Sequence, residues 1–279
     1  MIALDPNKVT IGIELECLLS HHIAPRETLT YSSYTPLSNY WEGHTDASIK
    51  DYSRLFYISD KPEYDYLRKV RDDFYLPTYE GKSWKTIELS TAKAGRPIRL
   101  SELDAAMDDL AKLLEVNPNE LWHHRIQINH SCGAHLHLSI DDLTPMSAGI
   151  FNLAKVRYRN WLRENRDPDD VKVFDEFYYR GGYSAPMRAG LLSETRRDFC
   201  MNLGIEWRGF HLMKTKTVND MRQRLHAAFD AFAQAYIMSA VVKEKSFTMG
   251  FLPDPTVKGI ETKTMTIYNP FPKVLPCAI

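Results

Sequence analysis

Four short stretches of the sequence place ionisable residues at alternate positions, with apolar residues between them. They are residues 13–16, 87–89, 134–138 and 205–208, with the sequences IELE, IEL, AHLHL and IEWR. Because neighbouring residues of a β-strand point to opposite faces, each stretch predicts a strand with one buried and one charged face. The charged residues are Glu14, Glu16, Glu88, His135, His137, Glu206 and Arg208. If the four strands share one sheet, the charged side chains gather on one surface, which indicates bound ions or charged ligands because isolated buried charge is costly.

The first stretch offers two carboxylates on one face of a strand, since Glu14 and Glu16 are two residues apart. Two carboxylates at that distance repel each other unless a proton or a cation lies between them. Oxygen ligands suit Mg²⁺ or Mn²⁺, so the pair is a candidate metal site. An edge strand with a solvated polar face explains the same pattern and is the commoner origin of an isolated Glu-x-Glu pair.

The third stretch is more specific, because apolar residues alternate strictly with His135, His137 and Ser139 between residues 132 and 140. A His-x-His pair on a strand is a common metal-binding arrangement, and an imidazole can also bind phosphate. Two structural histidines with satisfied hydrogen bonds fit the pattern equally well.

The fourth stretch pairs a carboxylate with a guanidinium, at Glu206 and Arg208. Its functional interpretation gives Glu206 to a metal and Arg208 to a phosphate or carboxylate, which the planar guanidinium suits. Its structural interpretation is an ion pair on a solvated strand. The sequence has no Walker A motif, dinucleotide-binding fingerprint or GxSxG elbow, so metals, Arg and His would have to hold the phosphates of any bound nucleotide.

Composition predicts a soluble globular protein, because 44% of the 279 residues are hydrophobic and 25% are charged. The formal net charge of -1 argues against binding of nucleic acid or an anionic membrane surface. No apolar run is long enough to span a bilayer, and residues 1–8 lack the features of a signal peptide. The four cysteines are widely separated, which argues against a disulfide framework. We therefore expect a cytoplasmic protein.

The elements that must position the charged residues can be read from periodicity. Strands are predicted at about residues 9–19, 84–90, 132–140 and 205–210, and helices at about 101–116, 147–165 and 218–245. Ser101 with Asp104, and Thr217 with Asp220, are the predicted helix caps. This order predicts an α+β fold with a mainly antiparallel sheet and helices packed on one face.

We expect a single domain over residues 1–279, because the sequence contains no obvious linker or internal repeat. Loop insertions are predicted at about residues 20–83 and 166–200, the first with short strands inside it, and an irregular tail from about residue 269. Long loops of this kind are usually functional, so the two insertions are candidates for a lid and for substrate recognition. Aromatic residues in them, Trp41, Tyr178 and Tyr179, are candidates for lining the substrate site, although packing within an exposed loop is the commoner explanation for each one alone.

Taken in order, these motifs resemble the amidoligase family, a branch of the carboxylate-amine ligases that includes glutamine synthetase and γ-glutamylcysteine ligase. The resemblance covers most of residues 9–211 and rests on an ordered set of motifs. They are GIELE at 12–16, DAS at 46–48, ELS at 88–90, GAHLH at 133–137 and EWR at 206–208. The resemblance implies a curved antiparallel sheet of the glutamine synthetase type that holds two or three divalent ions between ATP and an acid substrate.

The resemblance also implies roles for individual residues. The implied ligands of Mg²⁺ or Mn²⁺ are Glu14, Glu16, Glu88, His135 and Glu206. ATP would be contacted by His137, Ser139 and Arg208, with Arg208 stabilising the transferring phosphoryl group. Asp46, with Ser48, would receive the incoming amine and take its proton. The implied catalytic residues are thus Asp46, His137 and Arg208.

The function that follows is an ATP-dependent ligase, which forms an amide or isopeptide bond through an acyl phosphate. Its partners would be small-molecule, peptide or protein carboxylates and amines, and an oligomer is compatible with the sequence. Two alternatives remain open at this point. One is a metal-dependent hydrolase that uses the same Glu and His groups, and the other is a non-catalytic binding module on the same fold.

Overall fold

The computed structural model describes residues 4–20, 23, 34–46, 49, 84–128, 132–145, 149–180, 205–210 and 214–242. The chain divides into two units, residues 1–242 and 243–279, and every described residue belongs to the first. The predicted single domain over residues 1–279 and the tail from about residue 269 therefore stay predictions. Within the described part of the chain, no helix is long and apolar enough to cross a membrane.

An antiparallel sheet is the central element of the fold. Its strands are β1 (Val9–Ser20), β2 (Thr35–Pro36), β3 (Trp41–Thr45), β4 (Trp84–Thr91), β5 (Ile98–Arg99), β6 (Ile126–Gln127), β7 (Ala134–Ile140) and β9 (Ile205–Phe210). The strand order is β2-β3-β4-β1-β7-β9, and β5 and β6 also pair with β1. Two further short strands, β8 (Leu143–Pro145) and β10 (Ala240–Val242), pair with each other. The four strands predicted from the alternating motifs are confirmed and share this one open sheet.

Strand β1 lies at the centre of the sheet because its 12 residues pair along both edges. On one edge, Glu14 to Ser20 pair with β4, and on the other, Val9 to Leu15 pair with β7. Strands β5 and β6 fill the remaining edge positions, at residues 10–11 and 18–19 of β1. Residues of β1 thus face neighbours on both sides, so a side chain on either face of β1 meets side chains from two other strands.

In the described part of the chain, four helices cover the apolar face of the sheet. They are α1 (Leu103–Leu113), α2 (Gly149–Asn165), α3 (Pro168–Arg180) and α4 (Val218–Ser239). The indole nitrogen of Trp41 in β3 donates to Ala106 O of α1 over 2.8 Å. The ring of Trp207 in β9 lies 6.0 Å from Tyr158 of α2 and 5.7 Å from Phe232 of α4. The α+β class with an antiparallel sheet is therefore confirmed, whereas a fold of the glutamine synthetase type stays a prediction.

Helix α4 begins where the sequence predicts. The hydroxyl of Thr217 accepts a hydrogen bond from the backbone N–H of Asp220 over 3.0 Å, which satisfies one of the unpaired donors of the first turn. The helix ends at Ser239 rather than near Lys245, because the chain turns extended at Ala240 and enters β10.

Helix α1 begins differently from the prediction, and the proposed Ser101 cap was wrong. A 3-10 turn over Leu100–Glu102 leads into the helix, and Ser101 lies inside that turn. The carboxylate of Glu102 instead accepts from the backbone N–H of Arg99 over 2.9 Å. The chain therefore turns into the helix one to two residues later than the sequence signal suggests.

Helix α3 lies inside the segment 166–200, for which the sequence analysis predicted a loop, so that prediction was wrong for residues 168–180. The signal was present, because Asp167 caps the helix by accepting from Asp169 N over 2.7 Å. Pro168 then occupies the first helical position, where its missing N–H costs nothing. Residues 181–200 and the side chains of Tyr178 and Tyr179 lie outside the described part of the chain.

The other predicted insertion, residues 20–83, contains the short strands β2 and β3, as expected. Trp41 of β3 is fully buried against α1, so it belongs to the core and not to a substrate surface. Most of the remaining residues of this insertion lie outside the described residues.

Candidate functional site

The register of the sheet brings the predicted charged residues together on the face opposite the helices. Glu14 of β1 lies opposite His135 of β7. Glu16 of β1 lies opposite Glu88 of β4. On the other edge of β7, His137 lies opposite Glu206 of β9. Because residues of one face recur every second position, these pairs form adjacent rows across the sheet.

Three of these residues form the first cluster: Glu14, His135 and Glu206. One donor atom of each lies within 4.8 Å of a donor atom of the other two. The Nδ1 atom of His135 is 3.0 Å from Oε2 of Glu14 and 3.7 Å from Oε1 of Glu206. His135 and Glu206 are buried, while 26% of the Glu14 side chain is exposed. Two carboxylates and one imidazole in this arrangement could hold a divalent cation.

His137 lies beside the first cluster, with Nε2 at 2.9 Å from Oε1 of Glu14. The Glu14 carboxylate therefore lies between two imidazoles, one on each oxygen. Burial acts to raise the pKa of Glu14, but the two imidazoles outweigh it and hold that pKa well below its usual range. Burial likewise opposes a charged His135, and Glu14 raises the pKa of His135 above its ordinary value. The two imidazoles therefore stabilise the ionised form of Glu14, as a bound cation would at the same position.

The second cluster consists of Glu16, Asp46 and Glu88, again with donor atoms within 4.8 Å of one another. The backbone N–H of Gly133 donates to Oε2 of Glu16 over 2.5 Å, and the Tyr34 hydroxyl donates to Oε1 of Glu88 over 2.5 Å. These contacts fix one oxygen of each glutamate. Three carboxylates at this spacing repel one another in the absence of a cation or proton.

The protonation behaviour of the second cluster reflects that repulsion. Burial and the neighbouring carboxylates raise the pKa of Glu16, against the opposing effects of His135 and the Gly133 amide. Burial and the nearby Glu14 raise the pKa of Glu88 as well. A divalent cation would relieve both effects, because its charge favours the ionised carboxylates.

Asp46 occupies a position that the sequence analysis did not anticipate. The resemblance assigned it to the incoming amine, whereas its carboxylate lies within reach of Glu16 and Glu88. Its backbone N–H donates to Thr86 O over 3.2 Å, which continues the β3–β4 pairing past Thr45. Asp46 is thus also a candidate cation ligand. Ser48, its predicted companion, lies outside the described residues.

Arg208 extends the charged face on β9, the last strand in the order among the described residues. Its Nε donates to Oε1 of Glu206, and about a third of its side chain is exposed. A β-bulge between Ala134 and Leu136 shifts the β7–β9 register, which brings the residues around Arg208 opposite His135. Arg208 therefore lies beside the first cluster, with a guanidinium that faces both the cluster and solvent.

Ser139 lies two residues beyond His137 and opposite Thr10, half-buried, on the same face of β7. It is a member of neither cluster.

Three residues on the charged face were missed by the sequence analysis. Glu42 and His44 alternate along β3, and His44 lies opposite Glu88. The ring of Tyr34 packs edge-on against His44 with 4.4 Å between ring centroids. The alternation of residues 41–45 was visible, but a stretch of five residues inside a long polar segment gives a weak strand signal.

Comparison of the chain with protein-family models, curated proteins and solved structures found no match. The resemblance to amidoligases therefore rests on the motifs alone. What the geometry adds is that all seven charged residues of the four motifs lie on one face of one sheet, five of them in the two clusters and His137 and Arg208 beside the first cluster.

Proposed function

We propose that this protein is an ATP-dependent carboxylate-amine ligase that forms an amide or isopeptide bond. One observation carries the proposal: a single strand supplies Glu14 to one candidate cation cluster and Glu16 to the other. Two cations held by neighbouring carboxylates on one strand would lie close enough to act on the same polyphosphate. A cluster of this charge needs a cation or a charged ligand to be stable in a buried setting.

The donor atoms of the two clusters fit divalent cations in different ways. The second cluster offers only carboxylate oxygens, which suit Mg²⁺ or Mn²⁺. The first cluster includes the imidazole of His135, a ligand that Mn²⁺ and other transition metals accept more readily than Mg²⁺ does. We therefore propose Mg²⁺ or Mn²⁺ as the natural ions, held by Glu14, Glu16, Glu88, His135 and Glu206, with Asp46 as a further ligand.

The proposed reaction has two steps. A carboxylate oxygen of the acid substrate attacks the γ-phosphorus of ATP, the bond to the β-γ bridging oxygen breaks, and ADP leaves. The amine nitrogen then attacks the carbonyl carbon of the acyl phosphate, loses a proton, and releases inorganic phosphate. Bound cations would supply charge neutralisation at the phosphate oxygens, which is the main requirement of phosphoryl transfer.

The chain's own residues would contribute binding and orientation. Arg208 has a guanidinium that suits the equatorial oxygens of the transferring phosphoryl group, and Glu206 orients it through the Nε contact. His137 and Ser139 project from the same face of β7 and would contact the nucleotide phosphates. Asp46 would accept the proton of the amine in the second step.

Calorimetric titration with ATP and Mg²⁺ tests the proposal. Wild type is compared with Glu16→Gln, which removes one negative ligand, and with Glu120→Gln, which makes the same change at an exposed residue. We expect metal-dependent ATP binding that Glu16→Gln lowers by about tenfold or more and Glu120→Gln leaves unchanged. Pairs of carboxylates and amines are then screened for ADP release.

Two results would contradict the ligase. Tight Zn²⁺ uptake with no ATP binding would favour a metal-dependent hydrolase, because the Glu14, His135 and Glu206 donors also suit zinc. Absence of both nucleotide and cation binding would favour a non-catalytic module.

A further inference from the structure

Two cysteines of the described residues belong to the apolar core behind the charged face. Cys17 of β1 and Cys132, which precedes β7, are both buried in the hydrophobic core, and both are thiols. Residue pairs between β1 and β7 run from Val9 opposite Ile140 to Leu15 opposite Ala134. The backbone continues this register one residue further, since Glu16 N donates to Gly133 O over 3.0 Å. Extending this register by one more residue places Cys17 opposite Cys132.

The type of this pair favours a covalent bond between the two residues. Because Glu16 N donates to Gly133 O, a regular antiparallel ladder would make the adjoining pair one of the non-hydrogen-bonded kind, in which Cα atoms are about 4.5 Å apart. A disulfide needs Cα atoms about 4.4 to 6.8 Å apart. The two thiols are also close enough to interact electrostatically, since Cys132 contributes to a raised pKa of Cys17, after the larger effect of burial.

We propose that Cys17 and Cys132 form a reversible disulfide, which makes this pair a redox modification site behind the charged face. The inference rests on the sheet register and does not depend on the ligase activity. The bond would join β1 to the residues just before β7, next to the Glu16–Gly133 contact. It would therefore hold the Gly133 N–H against the Glu16 carboxylate.

Hydrogen peroxide is a suitable oxidant, because it is small enough to reach a nearly buried sulfur. Cys132 is 5% exposed and Cys17 is fully buried, so Cys132 reacts first. Its thiolate attacks peroxide, a sulfur–oxygen bond forms, the oxygen–oxygen bond breaks, and hydroxide leaves. The Cys17 sulfur then attacks the resulting sulfenic acid, forming the disulfide and releasing a second hydroxide, which takes up the Cys17 proton. In total, two thiols are oxidised and one peroxide is reduced to two waters.

The bond can be identified directly in the wild-type protein. Trypsin places the four cysteines in four different peptides, with Cys17 in residues 9–26 and Cys132 in residues 126–155. The folded protein is treated with peroxide, the remaining thiols are alkylated under denaturing conditions, and the unreduced digest is analysed by mass spectrometry. We expect loss of two thiols per chain and a crosslink between these two peptides, which dithiothreitol reverses.

Two comparisons make the outcome decisive. The Cys200→Ser/Cys277→Ser variant retains only the proposed pair. It should form the same crosslink within one chain, without joining two chains. Wild type oxidised in denaturant should give mixed pairings. The proposal would be overturned if peroxide oxidises the cysteines of the denatured protein but both peptides are recovered in alkylated form from the folded protein. Pairing of Cys17 with Cys200 or Cys277 in the folded protein would overturn it as well.

Discussion

Glu14 and His135 face each other across β1 and β7, and Oε2 of Glu14 lies 3.0 Å from Nδ1 of His135. The second oxygen of Glu14 is 2.9 Å from Nε2 of His137. The contact with His135 uses the atoms that would bind a cation in the first cluster. A cation at this position must therefore replace the proton that the pair shares, so binding would release protons and weaken as pH falls.

The first prediction concerns the independence of the two clusters. His135→Ala removes the only nitrogen ligand of the first cluster and leaves the carboxylates of the second cluster in place. We expect the number of Mn²⁺ ions bound per chain to fall from two to one, with the lost site weakened by about tenfold or more. Calorimetry with Mn²⁺ measures both quantities.

A matched control for this change is His226→Ala, because His226 is an exposed histidine on α4 that pairs with Asp104. It should leave the stoichiometry at two. Equal effects of the two substitutions, or a stoichiometry unaffected by His135→Ala, would exclude His135 as a ligand.

The second prediction separates binding from chemistry at Arg208. Lysine keeps the positive charge but loses the planar group that can contact two phosphate oxygens at once. With about a third of the side chain exposed, Arg208→Lys should leave the fold and cation binding unchanged. We expect substrate-dependent ADP release to fall by about 100-fold, a size typical of losing one transition-state donor.

Steady-state kinetics of ADP release, beside calorimetry of the same variant, checks this separation. An unchanged rate would remove Arg208 from the phosphoryl-transfer step, and a parallel loss of cation binding would give it a structural role through Glu206 instead.

The charged face could be predicted from the sequence because it depends on a local regularity. Alternation along a strand fixes which residues share a face, without knowledge of the neighbouring strands. Glu14, Glu16, His135 and His137 were therefore placed correctly relative to one another. Their grouping into two clusters depends on register, which the sequence of one strand does not specify.

Other features escaped prediction because they depend on contacts between distant segments. Asp46 reaches the second cluster only because β3 pairs with β4 in the register that continues to Thr86. Helix α3 was predicted as a loop, although Asp167 and Pro168 mark its start, because its apolar stripe is short. Its position on the core depends on Asp170, whose partner lies 54 residues further along the chain.

The third prediction concerns that partner, Arg224 of α4. Arg224 is 3% exposed, with Nη2 3.1 Å from Asp170 and Nε 3.0 Å from Asp220. Arg224→Met keeps much of the volume but takes the guanidinium away from the buried Asp170 carboxylate, whereas Asp220 keeps its contact with Arg166. We expect the free energy of unfolding to fall by about 3 kcal/mol.

Urea unfolding measures this change, and Arg163→Met provides the control, because Arg163 is an exposed arginine on α2. The control should shift the free energy of unfolding by less than about 0.5 kcal/mol. A similar small shift for Arg224→Met would mean that the buried Arg224–Asp170 pair contributes little to holding α3 against α4.

The fourth prediction is a pH dependence at the start of α1. Glu102 accepts hydrogen bonds from Arg96, Lys93 and the backbone N–H of Arg99. These contacts, that of the Arg96 guanidinium above all, lower the pKa of Glu102 from an ordinary value of 4.5 to about 2. A pKa depressed in the folded state adds stability above about pH 4.5, and that stability is lost as pH falls towards 2.

Glu102→Gln tests this dependence, because glutamine can still accept the Arg99 hydrogen bond but carries no charge. We expect a loss of about 1 kcal/mol in the free energy of unfolding at pH 7, a modest value because water screens the cations. The difference from wild type should shrink as pH falls from 4.5 to 2, whereas Glu120→Gln at the surface should stay close to wild type throughout. Urea unfolding at a series of pH values measures the difference. A difference that does not change with pH would mean that Glu102 acts through its hydrogen bonds alone, without a contribution from its charge.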